Sequence, residues 1–423
     1  MDIVSNYHGS IGNRTFKQRN QMFEKLGKKA LAAPLIVALG LCCILSIAVG
    51  PMLRAEPHNV PFAIVNLDKG ATTITGSANV GQTLTDKLLS GESSLGNIGG
   101  SSDESDESDS TSSSMADAIS WTQLKSEKEL STAFDNNELY GSIVIPANFT
   151  SQQASSAVGL GTAPQLTVYL NKGKNPQMAS SLQTTIQNAM LQAGIACKVE
   201  IVNDADVGGG SMSSSMAVQM MVMPMFMMTM IGSILLSLLF WKNDLTGLRK
   251  KHPILAALVL LGLVAAFSAA VAGLAQFVDT VAGGMTLPAQ ELFLFLWLAC
   301  ACCMLCFVSL CSLCFPLGAL VAMGTFALGM SCAMLSPEML PQAWADWVYP
   351  WAPQAHIGNG VRSIVYLGHM PGSTDIYPLL VFGAVGLAAL IIATIASLLK
   401  TRRTTRAEKQ GARKKELLQS AQA

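Results

Sequence analysis

Six stretches of the 423-residue chain are apolar for about twenty residues or more: 31–53, 217–241, 254–278, 292–315, 316–337 and 377–399. A helix rises about 1.5 Å per residue, so ~20 apolar residues cross the ~30 Å hydrocarbon layer of a bilayer. Inside that layer every backbone N–H and C=O needs an internal partner, and a helix supplies one for each. The sequence therefore predicts an α-helical polytopic membrane protein with six transmembrane helices. The fourth and fifth stretches run together from 292 to 336 without a charge, roughly twice one span. They read as a hairpin broken near 312–318, where Pro316 and Gly318 interrupt the helix. The first stretch begins roughly 30 residues in and exceeds the ~7–15-residue core of a cleaved signal, so it reads as an uncleaved span.

Composition agrees. Half of the residues are hydrophobic and 13% are charged, against roughly 25% charged in a soluble domain. This excludes a disordered chain, a coiled coil and a nucleic-acid binder working through overall charge. An ordinary soluble enzyme fits poorly. Lys+Arg and Asp+Glu both number 27, but the cancellation hides a separation. Basic residues gather in the tail before the first span (Arg14, Lys17, Arg19, Lys25, Lys28, Lys29). They gather again after the second span (Lys242, Arg249, Lys250, Lys251) and in the C-terminal tail from Lys400 to Lys415. Basic loops stay in the cytoplasm, and six spans place all three segments there. The expectation is a plasma-membrane protein with both termini inside and residues 54–215 outside. That outer segment holds eight basic and seventeen acidic residues, a net −9.

The organisation read from this is a cytoplasmic amphipathic segment (1–30), transmembrane helix 1 (31–53), an extracytoplasmic α/β domain (54–215), a five-helix transmembrane domain (216–400) and a basic cytoplasmic tail (401–423). Within 54–215, residues 60–68, 139–146 and 164–171 read as strands, and 126–137 as a helix. Residues 175–201 read as a long helix leading back to the membrane. Residues 99–114 form an acidic Ser/Asp/Glu loop without the fixed ligand spacing of a calcium site, and 203–215 reads as a linker.

Candidate chemistry is sparse. Nine of the ten cysteines lie in the apolar stretches. Cys303-x-x-Cys306 and Cys311-x-x-Cys314 imitate a zinc pattern, but thiolates there would be charges in hydrocarbon, so they read as small packing residues. No metal or cofactor is expected. Methionines crowd the start of the second span. Met220, Met223 and Met227 are candidates for an adaptable translocation lining, with flexible packing as the plainer reading and a Cu(I) path as a third. Asp279 and Glu291 bracket a short outer loop. Phosphate-loop, nucleophile-elbow, zincin and dinucleotide motifs are absent, so no catalytic residue is assigned and the chain is not expected to be an enzyme. Phe16 and Phe23 repeat at helical spacing among basic residues, as in an amphipathic helix on the inner leaflet. Lys242, Asp244, Arg249, Lys250 and Lys251 make a short charged loop between two spans. Ahead of the last span, Trp344, Trp347, Tyr349, Trp351 and Tyr366 suit a membrane interface, and prolines including Pro350 break that segment into short helices. Arg362 is its one basic residue.

One span, an outer domain and five further spans resemble the layout of ABC type-2 transporter permeases, in particular the YhgE/Pip branch of membrane proteins. VPFAIVNLDKG (60–70), LYGSIVIPANFT (139–150) and YPWAPQAHIGNGVRSIVYLG (349–368) carry the resemblance. The last is similar to the outer hairpin of these permeases, with Pro350 and Arg362. The outer region is shorter than is usual in that branch. The resemblance implies a permease subunit, pairing as a homodimer or with a related permease, and driven by a separate cytoplasmic ATP-binding-cassette ATPase. The segment with Phe16 and Phe23, and the Lys242–His252 loop, would then receive the ATPase motion. The implied activity is export of an amphipathic or lipid-like substrate. A non-transporting surface protein, a phage receptor or secretion scaffold acting through 54–215, is the alternative.

Overall fold

A computed structural model describes residues 39–40, 42–73, 76–90, 118–192, 194–205 and 211–422. Phe16, Phe23, the acidic loop 99–114 and the beginning of the first apolar stretch lie outside the described residues. So do residues 206–210; Ser211–Ser215, expected as part of a linker, instead begin the helix Ser211–Leu236.

Five helices are long and apolar enough to cross a membrane: Met221–Lys242, Pro253–Val281, Ala289–Leu313, Phe315–Met334 and Ser373–Arg403. Cys42–Leu53 is a shorter apolar helix, the described end of the first stretch. Ala289–Leu313 is the most buried of the five and forms the hub of the bundle. Its cysteines explain how. Added at Gly383, a Cβ would lie 2.9 Å from the Cys302 Sγ, and one at Gly386 would strike the Cys306 backbone. Small side chains on both helices let the two backbones approach, the usual basis of close helix packing in membranes. Cys300, Cys303 and Cys306 are buried in the same packing. The expected hairpin break falls at Cys314, in extended conformation, between Leu313 and Phe315. Pro316 sits in the first turn of the next helix, where its missing N–H costs nothing. Gly318 lies against the Cys311 backbone and keeps the hairpin tight.

The α/β domain is built on a five-stranded mixed sheet, in the order β4-β1-β5-β6-β7. The strands are β1 (Val60–Asn66), β4 (Ile119–Leu124), β5 (Gly141–Ile145), β6 (Gln165–Asn171) and β7 (Ala196–Val202). β2 (Ala71–Thr73) and β3 (Gly76–Ala78) form a small separate hairpin. β1 runs parallel to both β4 and β5, β6 antiparallel to β5, and β7 parallel to β6. A central strand is buried on both faces, which is why VPFAIVN is almost continuously apolar. Alternation divides it: Val60, Phe62 and Ile64 point into one core, Ala63 and Val65 into the other. Helices Val80–Ser90 and Pro176–Gln192 cover the first face, and Glu127–Asp135 covers the second.

The single long helix expected over 175–201 does not form. Residues 175–201 are two elements, the helix Pro176–Gln192 and strand β7. Gly194, at φ +66°, provides the left-handed turn that ends such a helix. Beyond it, CKVEIV pairs along β6 with its side chains only partly buried.

The first core does not stop at the domain boundary. Met178, Leu182 and Ile186 share it with Cys332, Leu335, Leu340, Val348 and Ala355, from the end of the Phe315–Met334 helix and the segment after it. The α/β domain and this end of the bundle are packed as one apolar body. Each fully buried Leu or Val contributes up to about 1.5–3 kcal/mol, so this seam is not a hinge of loose loops.

Candidate functional site

The segment between Met334 and Ser373 is shaped by its prolines. Pro337 starts a single 3-10 turn, Pro341 precedes the helix Gln342–Trp347, and Pro353 opens the helix Pro353–Tyr366. That last helix is buried almost all round, including Gln354, His356 and Arg362. Arg362 is 3% exposed. Its Nη2 donates to Asn359 Oδ1, and its Nη1 has no hydrogen-bond partner. Tyr349 donates its hydroxyl to the same Asn359 oxygen at 3.1 Å, and Asn359 Nδ2 donates to Asp375 Oδ1 at 2.9 Å. His356 lies between two acceptors, Asp375 Oδ1 at 3.3 Å from Nδ1 and the Pro350 carbonyl at 3.0 Å from Nε2. Pro350 and Arg362 thus belong to one network, joined through His356, Asn359 and Asp375. A buried guanidinium needs hydrogen bonds or counter-charge; Arg362 has one such bond, to Asn359, and the contacts of Asn359 and His356 with Asp375 tie this outlying hairpin, residues 337–372, to the start of the last span.

A second polar contact seats the α/β domain on this hairpin. Tyr140, fully buried beside β5, donates its hydroxyl to Glu338 Oε2 at 2.7 Å. His58 donates its backbone N–H to the Glu338 carbonyl at 2.8 Å. Lys174 Nζ lies 4.0 Å from Glu338 Oε1 and 4.9 Å from the centre of the Tyr140 ring, and donates to the Glu138 carbonyl at 2.7 Å. Burial pushes the Tyr140 hydroxyl well above its ordinary value, and the Glu338 charge adds to the rise. Burial pulls the Lys174 amine below its ordinary value. Tyr140, Lys174 and Glu338 line one polar cavity of about 500 Å³ together with Asn359, Arg362 and Asp375, between the two parts of the chain.

At the far end of the Met221–Lys242 helix lies the charged loop. Asp244 is buried, at φ +47°, and its carboxylate accepts the backbone N–H groups of Arg249 (3.0 Å) and Lys250 (3.2 Å). It caps the short helix Leu248–Lys251 rather than facing outward. Lys242 sits 4.4 Å over the Phe315 ring, and the Arg249 guanidinium 5.8 Å over the Trp241 ring. Lys250 and Lys251 are exposed. The loop is therefore a fixed shape presenting two free amines.

The methionine-rich helix carries a different surface. Met221, Met225 and Met228 share one face and line a cavity of about 310 Å³ with Val271, Leu274 and Asp279. Pro224, inside the same helix, contributes to that lining. Met223 is half-buried and Met227 exposed, and neither lines this cavity. The Met220 side chain lies outside the described residues. Among the described residues no group of three or more His, Cys, Asp or Glu side chains is placed to hold a metal ion.

The model of a family described as ABC-2 family transporter protein matches residues 30–395. The chain belongs to the ABC-2 transporter family. That match runs through the α/β domain and into all five described spans. No curated protein and no solved structure matches the chain. Membership of the ABC-2 family makes this a multi-pass membrane protein and implies a partnering ATP-binding-cassette subunit.

Sequence reasoning named Pro350 and Arg362 in this ABC-2 chain but missed their connectors and the Tyr140–Glu338 contact. The signal for the first was present: His356, Asn359 and Arg362 recur at i, i+3 and i+6, nearly one helical face. For the second there was none, since Tyr140 and Glu338 are 198 residues apart.

Proposed function

We propose that this chain is the permease subunit of an ATP-driven exporter in the plasma membrane. On this reading it crosses the bilayer six times with both termini in the cytoplasm and the α/β domain outside. It pairs with a second copy or a related permease and takes its energy from a cytoplasmic ATPase. Its cargo is amphipathic or lipid-like. The family match over 30–395 carries this reading. The concentration of basic residues in the tails and in the 242–251 loop supports the orientation.

The mechanism that follows is mechanical. The capped loop, with Lys250 and Lys251 outward, is the surface an acidic groove on the ATPase would grip. Phe16 and Phe23 would add an interfacial helix beside it. Movement there is passed along the Met221–Lys242 and Pro253–Val281 helices to the hairpin of Pro350 and Arg362 at the other end. Met220, Met223 and Met227 are the proposed lining of the path between paired permeases. The α/β domain, seated through Tyr140 and Glu338, moves with the hairpin rather than independently of it.

The test is charge reversal at the two exposed lysines, Lys250→Glu with Lys251→Glu. ATPase co-purification should fall at least tenfold while the chain stays folded, as read by unchanged thermal unfolding. Undiminished ATPase binding would overturn the docking assignment. A wild-type chain that recruits no ATPase would favour the receptor or scaffold reading through 54–215.

A further inference from the structure

The cavity of about 310 Å³ beside the methionine-rich helix is apolar except at one point. Met221, Met225, Met228, Val271 and Leu274 supply hydrocarbon and thioether surface. Asp279 supplies a carboxylate, and among the described residues that carboxylate has neither a hydrogen bond nor an ion pair. It sits in a π-turn, Val278–Ala282, that continues the Pro253–Phe277 helix. Such turns occur often at functional positions, because the extra residue re-aims a side chain.

A half-buried carboxylate on an apolar wall is poorly solvated, and a cation that meets it relieves that cost. The rest of the cavity offers no polar partner, so the complementary ligand carries its positive charge on an apolar body. The volume lies at the small end of the range for ligand pockets, ~300–1,000 Å³. Methionines, unbranched and polarizable, adapt to varied apolar shapes. We propose that this cavity binds a small amphipathic cation, its apolar body among Met221, Met225 and Met228 and its charge against Asp279. The net −9 of residues 54–215 would raise the local concentration of such cations on the same side of the membrane. As a statement about cargo class this rests on the exporter reading. As a binding site it does not.

The experiment uses the full-length chain in phosphatidylcholine nanodiscs without any ATPase. Radiolabelled tetraphenylphosphonium is the cationic probe and triphenylphosphine oxide the neutral control, with empty discs as background. Wild type should bind the cation saturably and more tightly than the neutral control. Asp279→Asn should weaken the cation at least tenfold and leave the neutral compound unchanged. Asp279→Glu should keep most of the affinity. Met228→Trp, at the half-exposed rim, should block both compounds without touching the buried packing. Equal cation binding by Asp279→Asn, or none by wild type above empty discs, would overturn the proposal. So would displacement of the probe by phosphatidylethanolamine, which would make the cavity a lipid-headgroup site. A failure here leaves the ATPase pairing untouched, and a failure of the pairing leaves this site standing.

Discussion

Replacing Tyr140 with phenylalanine removes one oxygen from the seam between the α/β domain and the hairpin and leaves the ring in place. The hydroxyl is fully buried and donates to the Glu338 carboxylate at 2.7 Å. A hydrogen bond to a charged group contributes roughly 1.5–3 kcal/mol. Glu338 keeps Lys174 at 4.0 Å and its own 20% exposure, so part of that loss is recovered by water and the amine. About 1–2 kcal/mol remains, which lowers the melting temperature by about 2–8 °C for a unit of ~150–250 residues. Glu338→Gln keeps an acceptor but removes the charge and should cost less. The assay is a double-mutant cycle on thermal unfolding in detergent, with Tyr140→Phe, Glu338→Gln and the pair. Coupling of about 1 kcal/mol is expected between directly bonded groups. If the two single changes add to within about 0.3 kcal/mol, the contact does not hold the seam and the α/β domain is not anchored through it.

Three other outcomes follow from the same structure. The stability gap between wild type and Tyr140→Phe should narrow above about pH 10. Tyr140 is held above its ordinary value in the folded chain, so the unfolded chain loses the proton first and the contribution disappears as pH rises; a gap that widens would contradict this. Gly386→Val should abolish stable folding or cost several kcal/mol, because even a Cβ there meets the Cys306 backbone; monodisperse protein with an unchanged melting point would be the contrary result. Asp244→Ala should cost about 1–2 kcal/mol by releasing two backbone N–H groups, and should speed amide exchange at Arg249 and Lys250.

How much of this the sequence carried depends on the range of the interaction. Apolar runs gave the five described spans, because a span is specified residue by residue by its solvent. Pro316 placed the hairpin break because a proline removes a hydrogen bond wherever it sits. Ser126 began its helix legibly: it accepts the N–H of Glu129, while Glu129 accepts the N–H of Lys125, a reciprocal cap written within five residues. Strands β1, β5 and β6 were visible because both faces, or one whole face, are buried. β7 was not, because an edge strand with half-exposed Lys198 and Glu200 shows no apolar contrast and follows a true helix. β4, ISWTQL, is largely exposed for the same reason. The site divided likewise. Arg362 stood out as a solitary charge, while Tyr140 and Glu338 meet only through tertiary packing. Asp244 looked like a surface charge until its capping bonds turned it inward. The methionines advertised an adaptable face, but which of them share a cavity with Asp279 depends on how two helices rotate against each other.

The exporter reading stands on one association. Full-length chain, extracted in mild detergent from the cells that make it and isolated through a tag on its C-terminal tail, should carry a second protein identifiable by mass as an ATP-binding-cassette ATPase, in about one copy per chain. Recovery of the intact, folded chain with no such ATPase at any detergent strength would contradict the account.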